Sequence, residues 1–226
     1  MANPGDRTRK GEYLRTLSKN AHVLCLQEMH GFEAEVNLLL ARILPRWKII
    51  HSACVSSDGL QLRSSGGILI AICPEIMAGS LCIDTVLVPG RCLSVSLFCS
   101  GRILSVTNIH NFGLDSRSIR DINNLAASVR ARVAEEPTRN FACFVGDASF
   151  GAPCESKFKC GRQFGALTPT QRSYVPNAPA HERLFMVFLG DWTEIVQPHP
   201  TRFDHKGNSC TRIDRGWVAC PSSLLC

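Results

Sequence analysis

The sequence predicts a layered α/β domain, in which two β-sheets pack face to face and helices cover their outer surfaces. Many short apolar segments are rich in β-branched residues and are bounded by turn-forming residues, which is typical of buried strands. Three other segments repeat apolar residues at helical spacing. Because so many short strands would overfill one sheet, two sheets in face-to-face contact accommodate them better.

The helical segments are identified by apolar residues that recur every three or four positions. They are residues 8–20, residues 33–44 and residues 116–134. Pro45 directly follows the second segment and ends it, because proline lacks the amide hydrogen that a helix needs.

The predicted strands are apolar runs separated by turn signals such as Pro89-Gly90 and Ser100-Gly101. They are His22–Leu26, Trp47–Cys54, Gly67–Ile72, Ser80–Val88, Leu93–Cys99, Ile103–Ile109, Phe141–Val145, Leu184–Leu189 and Cys210–Val218. Residues 148–181, which are rich in Gly, Pro, Ser and charge, are expected to form loops with a short helix. No linker divides the chain, so we expect a single domain over 1–226 with a core at about 8–219.

The composition is that of a soluble globular protein, with 45% hydrophobic and 19% charged residues among 226. The net charge of +6 permits a polyanionic partner such as nucleic acid. No C-x-x-C pair occurs among the 12 cysteines, which argues against a zinc ribbon. The N-terminus has no apolar leader, and the apolar stretch 66–79 is broken by Pro74 and Glu75. We therefore expect an intracellular protein, nuclear or cytoplasmic, that is not secreted and does not enter a membrane.

Two acidic residues stand at the ends of predicted strands. Glu28 follows the strand His22–Leu26, and Asp147 follows the strand Phe141–Val145. Ligands commonly bind at the carboxyl ends of strands in α/β sheets, and Mg²⁺ prefers one or two carboxylates together with waters and phosphate oxygens. The pair therefore predicts a site for a hard cation, although two solvated acids would also satisfy the pattern.

Further candidate site residues lie near the end of the predicted strand Ile103–Ile109 and within the predicted strand Cys210–Val218. His110 is placed for acid–base chemistry near neutral pH, or alternatively is a structural histidine. Asn108, two residues earlier, could orient a ligand or cap a turn. Asp214 stands near Arg212, which makes an ion pair the simplest interpretation, but Arg212 could instead contact a phosphate.

Taken in order along the chain, five segments resemble motifs of the endonuclease/exonuclease/phosphatase superfamily. They are Leu26-Gln27-Glu28, Ser65-Gly66-Gly67-Ile68-Leu69-Ile70, Asn108-Ile109-His110, Gly146-Asp147-Ala148-Ser149 and the segment 209–214. The run His199-Pro200-Thr201-Arg202-Phe203 is similar to endonuclease domains of retrotransposons that lack long terminal repeats. The resemblance implies an α/β four-layer sandwich of two mixed β-sheets flanked by helices, which hydrolyses phosphodiester bonds with Mg²⁺, or alternatively with Mn²⁺.

The resemblance also implies roles for individual residues. Glu28 matches the metal-binding glutamate, and Asp147 matches an aspartate that activates or orients the attacking water. His110 stands where relatives contact the phosphate or assist the leaving group. Asp214 matches an orienting aspartate on the site floor. Ser149 takes the place of the asparagine in the family's Gly-Asp-x-Asn motif and keeps only a hydroxyl.

Two family features have no match in this sequence. The family's first strand carries a site asparagine, for which Asn3 is at best a remnant, and its closing Ser-Asp-His motif does not occur before Cys226. We therefore expect the first strand and the C-terminal motif to be missing.

Three functions remain open at this point. The first is a Mg²⁺-dependent endonuclease-like domain of retroelement origin that acts on DNA. The second is a catalytically impaired remnant that at most binds nucleic acid. The third is a phosphatase or phosphodiesterase of the same fold with a small phosphorylated substrate. The sequence does not determine the oligomeric state.

Overall fold

The structure is a computed structural model, and it describes residues 4–56, 58–62, 66–111, 113–147, 192–195, 202–203, 210–211 and 214–219. The predicted loop region 148–181 and the predicted strand Leu184–Leu189 lie outside these residues, as do Ser149 and Arg212.

The described helices agree closely with those predicted. They are α1 (Pro4–Ser18), α2 (Glu33–Ile43), α3 (Pro74–Met77) and α4 (Ser116–Glu135). The short helix α3 was not predicted from apolar spacing, because one turn is too brief to show a period. It begins at Pro74, a residue favoured at the first helical position because its missing amide hydrogen is not needed there.

The described strands include seven in the order expected from the apolar runs, followed by two short strands, Thr193–Ile195 and Arg202–Phe203, that were not predicted. They are β1 (Val23–Gln27), β2 (Lys48–Ser52), β3 (Ile68–Ile72), β4 (Leu81–Val88), β5 (Cys92–Cys99), β6 (Arg102–His110), β7 (Asn140–Asp147), β8 (Thr193–Ile195), β9 (Arg202–Phe203), β10 (Cys210–Thr211) and β11 (Asp214–Ala219). The single strand predicted over Cys210–Val218 is instead two strands, because β10 pairs with β9 whereas β11 pairs with β7 and β8.

Most of the described strands belong to two principal sheets. The smaller sheet has the order β1-β3-β2, and the larger has the order β4-β5-β6-β7-β11-β8. Among the described strands of the larger sheet, β6 and β7 are the one parallel pair, which makes this sheet mixed. The smaller sheet is antiparallel throughout its described strands, so the prediction that both sheets are mixed is wrong for this one. The prediction of an α/β fold with two sheets and flanking helices is confirmed.

Three apolar cores hold the layers together. One core lies between α2 and the smaller sheet, a second lies between the two sheets, and a third lies between the larger sheet and α4. Fully buried members are Leu40 and Leu69 in the first core, Ile70 and Leu93 in the second, and Ile122 and Phe144 in the third. The described part of the chain contains no helix that is long and apolar enough to cross a bilayer.

Candidate active site

Three of the predicted site residues occupy one row of the larger sheet. His110 ends β6 and is paired with Asp147 at the end of the parallel strand β7. Asp214 begins the antiparallel strand β11 and is paired with Asp147 from the other side. The sheet therefore brings His110, Asp147 and Asp214 to neighbouring backbone positions at the same edge.

The glycine before Asp147 is required by the contact between β6 and β7. Gly146 has a φ of 148°, and a side chain there would overlap the backbone carbonyl of Ile109, its partner on β6. Only glycine fits such a close approach. The Gly-Asp pair in the sequence thus keeps β6 and β7 together at the point where the candidate site residues meet.

Glu28, which follows a strand of the smaller sheet, contacts His110 of this row. It follows β1 directly and has a φ of 57°, which is uncommon for a residue other than glycine. The backbone amide of Met29 donates to the carbonyl of Gly67 over 3.1 Å and secures the turn. The side chain of Glu28 is 60% exposed, with Oε1 3.3 Å from Nε2 of His110 and Oε2 3.3 Å from Nε2 of His30. One carboxylate thereby connects the two sheets and remains open to solvent.

His110 is buried, and both of its ring nitrogens face charged groups. Nε2 faces Glu28, and Nδ1 lies 2.7 Å from Nη1 of Arg91. Sequence reasoning did not identify Arg91 or His30 as site residues. The signal for Arg91 was present in the hairpin β5–β6, because a two-residue turn at Ser100-Gly101 places positions 91 and 110 opposite each other.

Asn108 makes contacts that differ from the predicted role in substrate binding. It is fully buried, and its Nδ2 donates to the carbonyls of Leu26 and Leu69 over 3.0 and 2.8 Å. Its Oδ1 accepts from Nε2 of Gln27. These partners are all protein groups, and they connect β6 to β1 and β3. Substrate binding by Asn108 stays a prediction, while the structure gives it a role in joining the two sheets.

A second buried histidine lies beneath the turn that carries Glu28. His51 is on β2, and a side chain at Gly67 would meet both the Met29 carbonyl and, at 3.3 Å, Nε2 of His51. Burial lowers the pKa of His51, and the Met29 backbone and the charge of Glu33 oppose this only in part. His51 lies within the predicted strand Trp47–Cys54, and no motif in the sequence distinguishes it.

Among the acids at this edge whose side chains are described, Glu28 could serve as a ligand to a hard cation that is otherwise bound by water and substrate. Within the described ranges, no group of three or more His, Cys, Asp or Glu side chains is arranged to enclose a metal ion. Mg²⁺ does not need such a cage, since one or two carboxylates with waters and phosphate oxygens complete its shell. The exposed carboxylate of Glu28 is suited to that mode of binding.

No protein-family model and no curated protein matches this sequence. Solved structures do match its fold. The endonuclease domain of TRAS1, a telomere-specific non-LTR retrotransposon, gives a TM-score of 0.55 at 14% identity, over 96% of this chain and 80% of that one. D. rerio TDP2 complexed with single-strand DNA product gives 0.52 at 15% identity, over 99% and 80%.

An endonuclease/exonuclease/phosphatase family protein from Bacteroides thetaiotaomicron also matches, with a TM-score of 0.51 at 13% identity over 98% of this chain and 80% of that one. Identities this low inform about the fold and not about the substrate. The matched fold agrees with the resemblance found in the sequence. The protein therefore has the fold of the endonuclease/exonuclease/phosphatase superfamily.

Proposed function

We propose that this protein hydrolyses phosphodiester bonds of DNA with Mg²⁺, or alternatively Mn²⁺, as an endonuclease-like domain of retroelement origin. One observation carries the proposal. Glu28 from the smaller sheet contacts His110 of the larger sheet, and His110 is in register with Asp147, which is in register with Asp214. These pairings support a site in which acidic residues far apart in sequence act together in a metal-assisted hydrolysis.

Each residue has a distinct part in the proposed reaction. Glu28 provides the carboxylate ligand, and a divalent cation bound there would neutralise charge on the phosphate. Asp147 orients the attacking water, with Asp214 beside it on the neighbouring strand. His110 holds Glu28 in place from its buried position. Ser149 and Arg212, which lie outside the described residues, are proposed to contact the substrate phosphate.

Nucleic acid is the substrate class that the charge favours. The chain carries a net charge of +6, which attracts a polyanion and promotes its association. Two of the similar structures are named for DNA-related proteins, the TRAS1 endonuclease domain and TDP2 in complex with a DNA product. These names describe those proteins, and they make DNA the first substrate to test for this one.

The test is nicking of supercoiled plasmid in the presence of Mg²⁺. We expect the wild type to nick the plasmid, and Glu28→Gln to lower the rate at least about 100-fold, because a neutral amide binds a cation far more weakly. Glu12→Gln, an exposed change on α1, is the matched control and should leave the rate unchanged. A folded wild type without nicking activity, or a fully active Glu28→Gln, would overturn the proposal.

Two further measurements distinguish the alternative functions. A gel-shift with a short duplex detects a protein that binds DNA without cutting it. Phosphate release from p-nitrophenyl phosphate detects a phosphatase acting on small substrates. Either result, combined with an uncut plasmid, would replace the endonuclease proposal by the corresponding alternative.

A further inference from the structure

Arg91 and His110 are held opposite each other by the backbone of the β5–β6 hairpin. The ladder pairs Cys92 with Ile109, and the amide of His110 donates to the carbonyl of Arg91 over 2.8 Å. The two side chains meet as well, with Nη1 of Arg91 2.7 Å from Nδ1 of His110. Since the backbone sets their separation, this contact is a property of the hairpin and not of one chance rotamer.

The contact determines where the imidazole proton lies. A guanidinium group has only donors and stays protonated at all ordinary pH values. Nδ1 of His110 must therefore accept, which leaves the proton of the neutral ring on Nε2. Nε2 is the atom that faces Oε1 of Glu28 at 3.3 Å. The proton thus lies between the imidazole and the carboxylate, where it makes their contact attractive.

The guanidinium of Arg91 occupies space that is free because residue 66 is a glycine. Gly66 has a φ of 58°, and a side chain there would come within 2.9 Å of Nη1 of Arg91 and would overlap Sγ of Cys54. On the other side, the amide of Gly90 donates to Oγ of Ser52 over 2.9 Å and secures the turn that precedes Arg91. The first glycine of the Ser-Gly-Gly segment therefore accommodates the arginine.

We propose that Arg91 is a positioning residue, which fixes the Nε2–H tautomer of His110 and thereby holds Glu28 for the hydrolysis proposed above. The proposal rests on that function for its catalytic consequence, but its tautomer can be measured independently of activity. Arg91 acts through His110 and is not proposed to touch the substrate.

The first test is ¹⁵N NMR of the histidine side chains, with the His110 signals assigned through His110→Gln. In the wild type we expect Nδ1 to show the shift of an unprotonated nitrogen and Nε2 that of a protonated one. Because Glu28 also favours the proton on Nε2, the contribution of Arg91 is measured in Glu28→Ala, where adding Arg91→Met should raise the Nδ1–H population and adding Arg91→Lys should raise it less. If the wild type carries the proton on Nδ1, or if adding Arg91→Met to a folded Glu28→Ala protein leaves the tautomer unchanged, the proposal is wrong. A wild-type proton on Nδ1 overturns the proposal even if the Arg91→Met variants do not fold.

The second test compares cleavage kinetics. Arg91→Met should lower kcat about 10- to 100-fold with little change in KM, as is common when a residue that orients a metal ligand is lost. Arg91→Lys should recover part of the loss. Arg102→Gln, an exposed change at the far end of the same hairpin, is the control and should match the wild type. Full activity in Arg91→Met would refute the positioning role while leaving the endonuclease proposal intact. An inactive wild type would refute the endonuclease proposal while the NMR result still decides on Arg91.

Discussion

At the scale of single residues, two polar side chains of β6 anchor the end of β1. Asn108 and His110 are two positions apart and so lie on the same face of their strand. Asn108 binds the Leu26 carbonyl and Gln27, and His110 contacts Glu28. The last two residues of β1 and the residue that follows the strand are thus held from the larger sheet. This explains why Glu28, although exposed and in an uncommon backbone conformation, has a defined position.

Removal of the Asn108 amide should weaken this connection. Asn108→Ala leaves the Leu26 and Leu69 carbonyls without their described side-chain donor, and we expect the free energy of unfolding to fall by about 2–4 kcal/mol. Urea denaturation measures the change. Asn124→Ala, on the exposed face of α4, is the control and should change stability by less than about 0.5 kcal/mol. A loss no greater than that of the control would contradict the account of Asn108.

His51 should make stability depend on pH. Burial lowers its pKa below the ordinary value of 6.5, so the unfolded chain takes up a proton at higher pH than the folded protein does. Stability should therefore fall as the pH decreases through about 6.5 toward the folded pKa. His51→Phe keeps a ring and removes the titration, which should flatten this decline.

Urea unfolding at about pH 7.5 and about pH 5.5 measures the effect, on either side of the ordinary histidine range. The exposed His22→Gln is the control and should retain the wild-type decline. An identical decline in His51→Phe and in the wild type would show that His51 does not carry it.

At the scale of elements, the parallel pairing of β6 with β7 aligns His110 with Asp147. Gly146→Ala should disrupt it, because a methyl group would overlap the Ile109 carbonyl and the φ of 148° disfavours a side chain. We expect a loss of about 2–5 kcal/mol in the free energy of unfolding. Gly79→Ala, at a φ of 77° with no atom within 4 Å, reports the cost of a side chain at a positive φ without any overlap. Equal losses in the two variants would argue against the overlap.

The sequence predicted these elements well where their periodicity was strong. Helix α4 was expected at 116–134 and is Ser116–Glu135, and α2 was expected at 33–44 and is Glu33–Ile43. Strand ends were less predictable, since β6 is Arg102–His110 where Ile103–Ile109 was expected, and β1 is Val23–Gln27 where His22–Leu26 was expected. Periodicity reports which face of an element is apolar, but the conformation of a single residue such as Glu28 depends on partners distant in sequence.

At the scale of the whole molecule, the candidate site lies where the edges of two sheets meet. The sequence motifs identified Glu28, His110, Asp147 and Asp214, and the structure brings them to one edge. Apolar patterning could not identify Arg91, because its role comes from a cross-strand contact with His110. The sequence also does not reveal that the Asn108 amide reaches across to the smaller sheet.

The central claim is that Glu28 and Asp147, which come from different sheets, act in one metal-dependent site. Single-turnover nicking of plasmid with Mg²⁺ tests it most directly, with wild type, Glu28→Gln, Asp147→Asn and the double variant compared. When two residues act in the same step, replacing the second after the first causes little further loss of rate. We predict that the wild type cleaves and that the double variant is slower than the worse single variant by less than about threefold, whereas independent sites would multiply the losses. An inactive wild type, or losses that multiply, would contradict the claim.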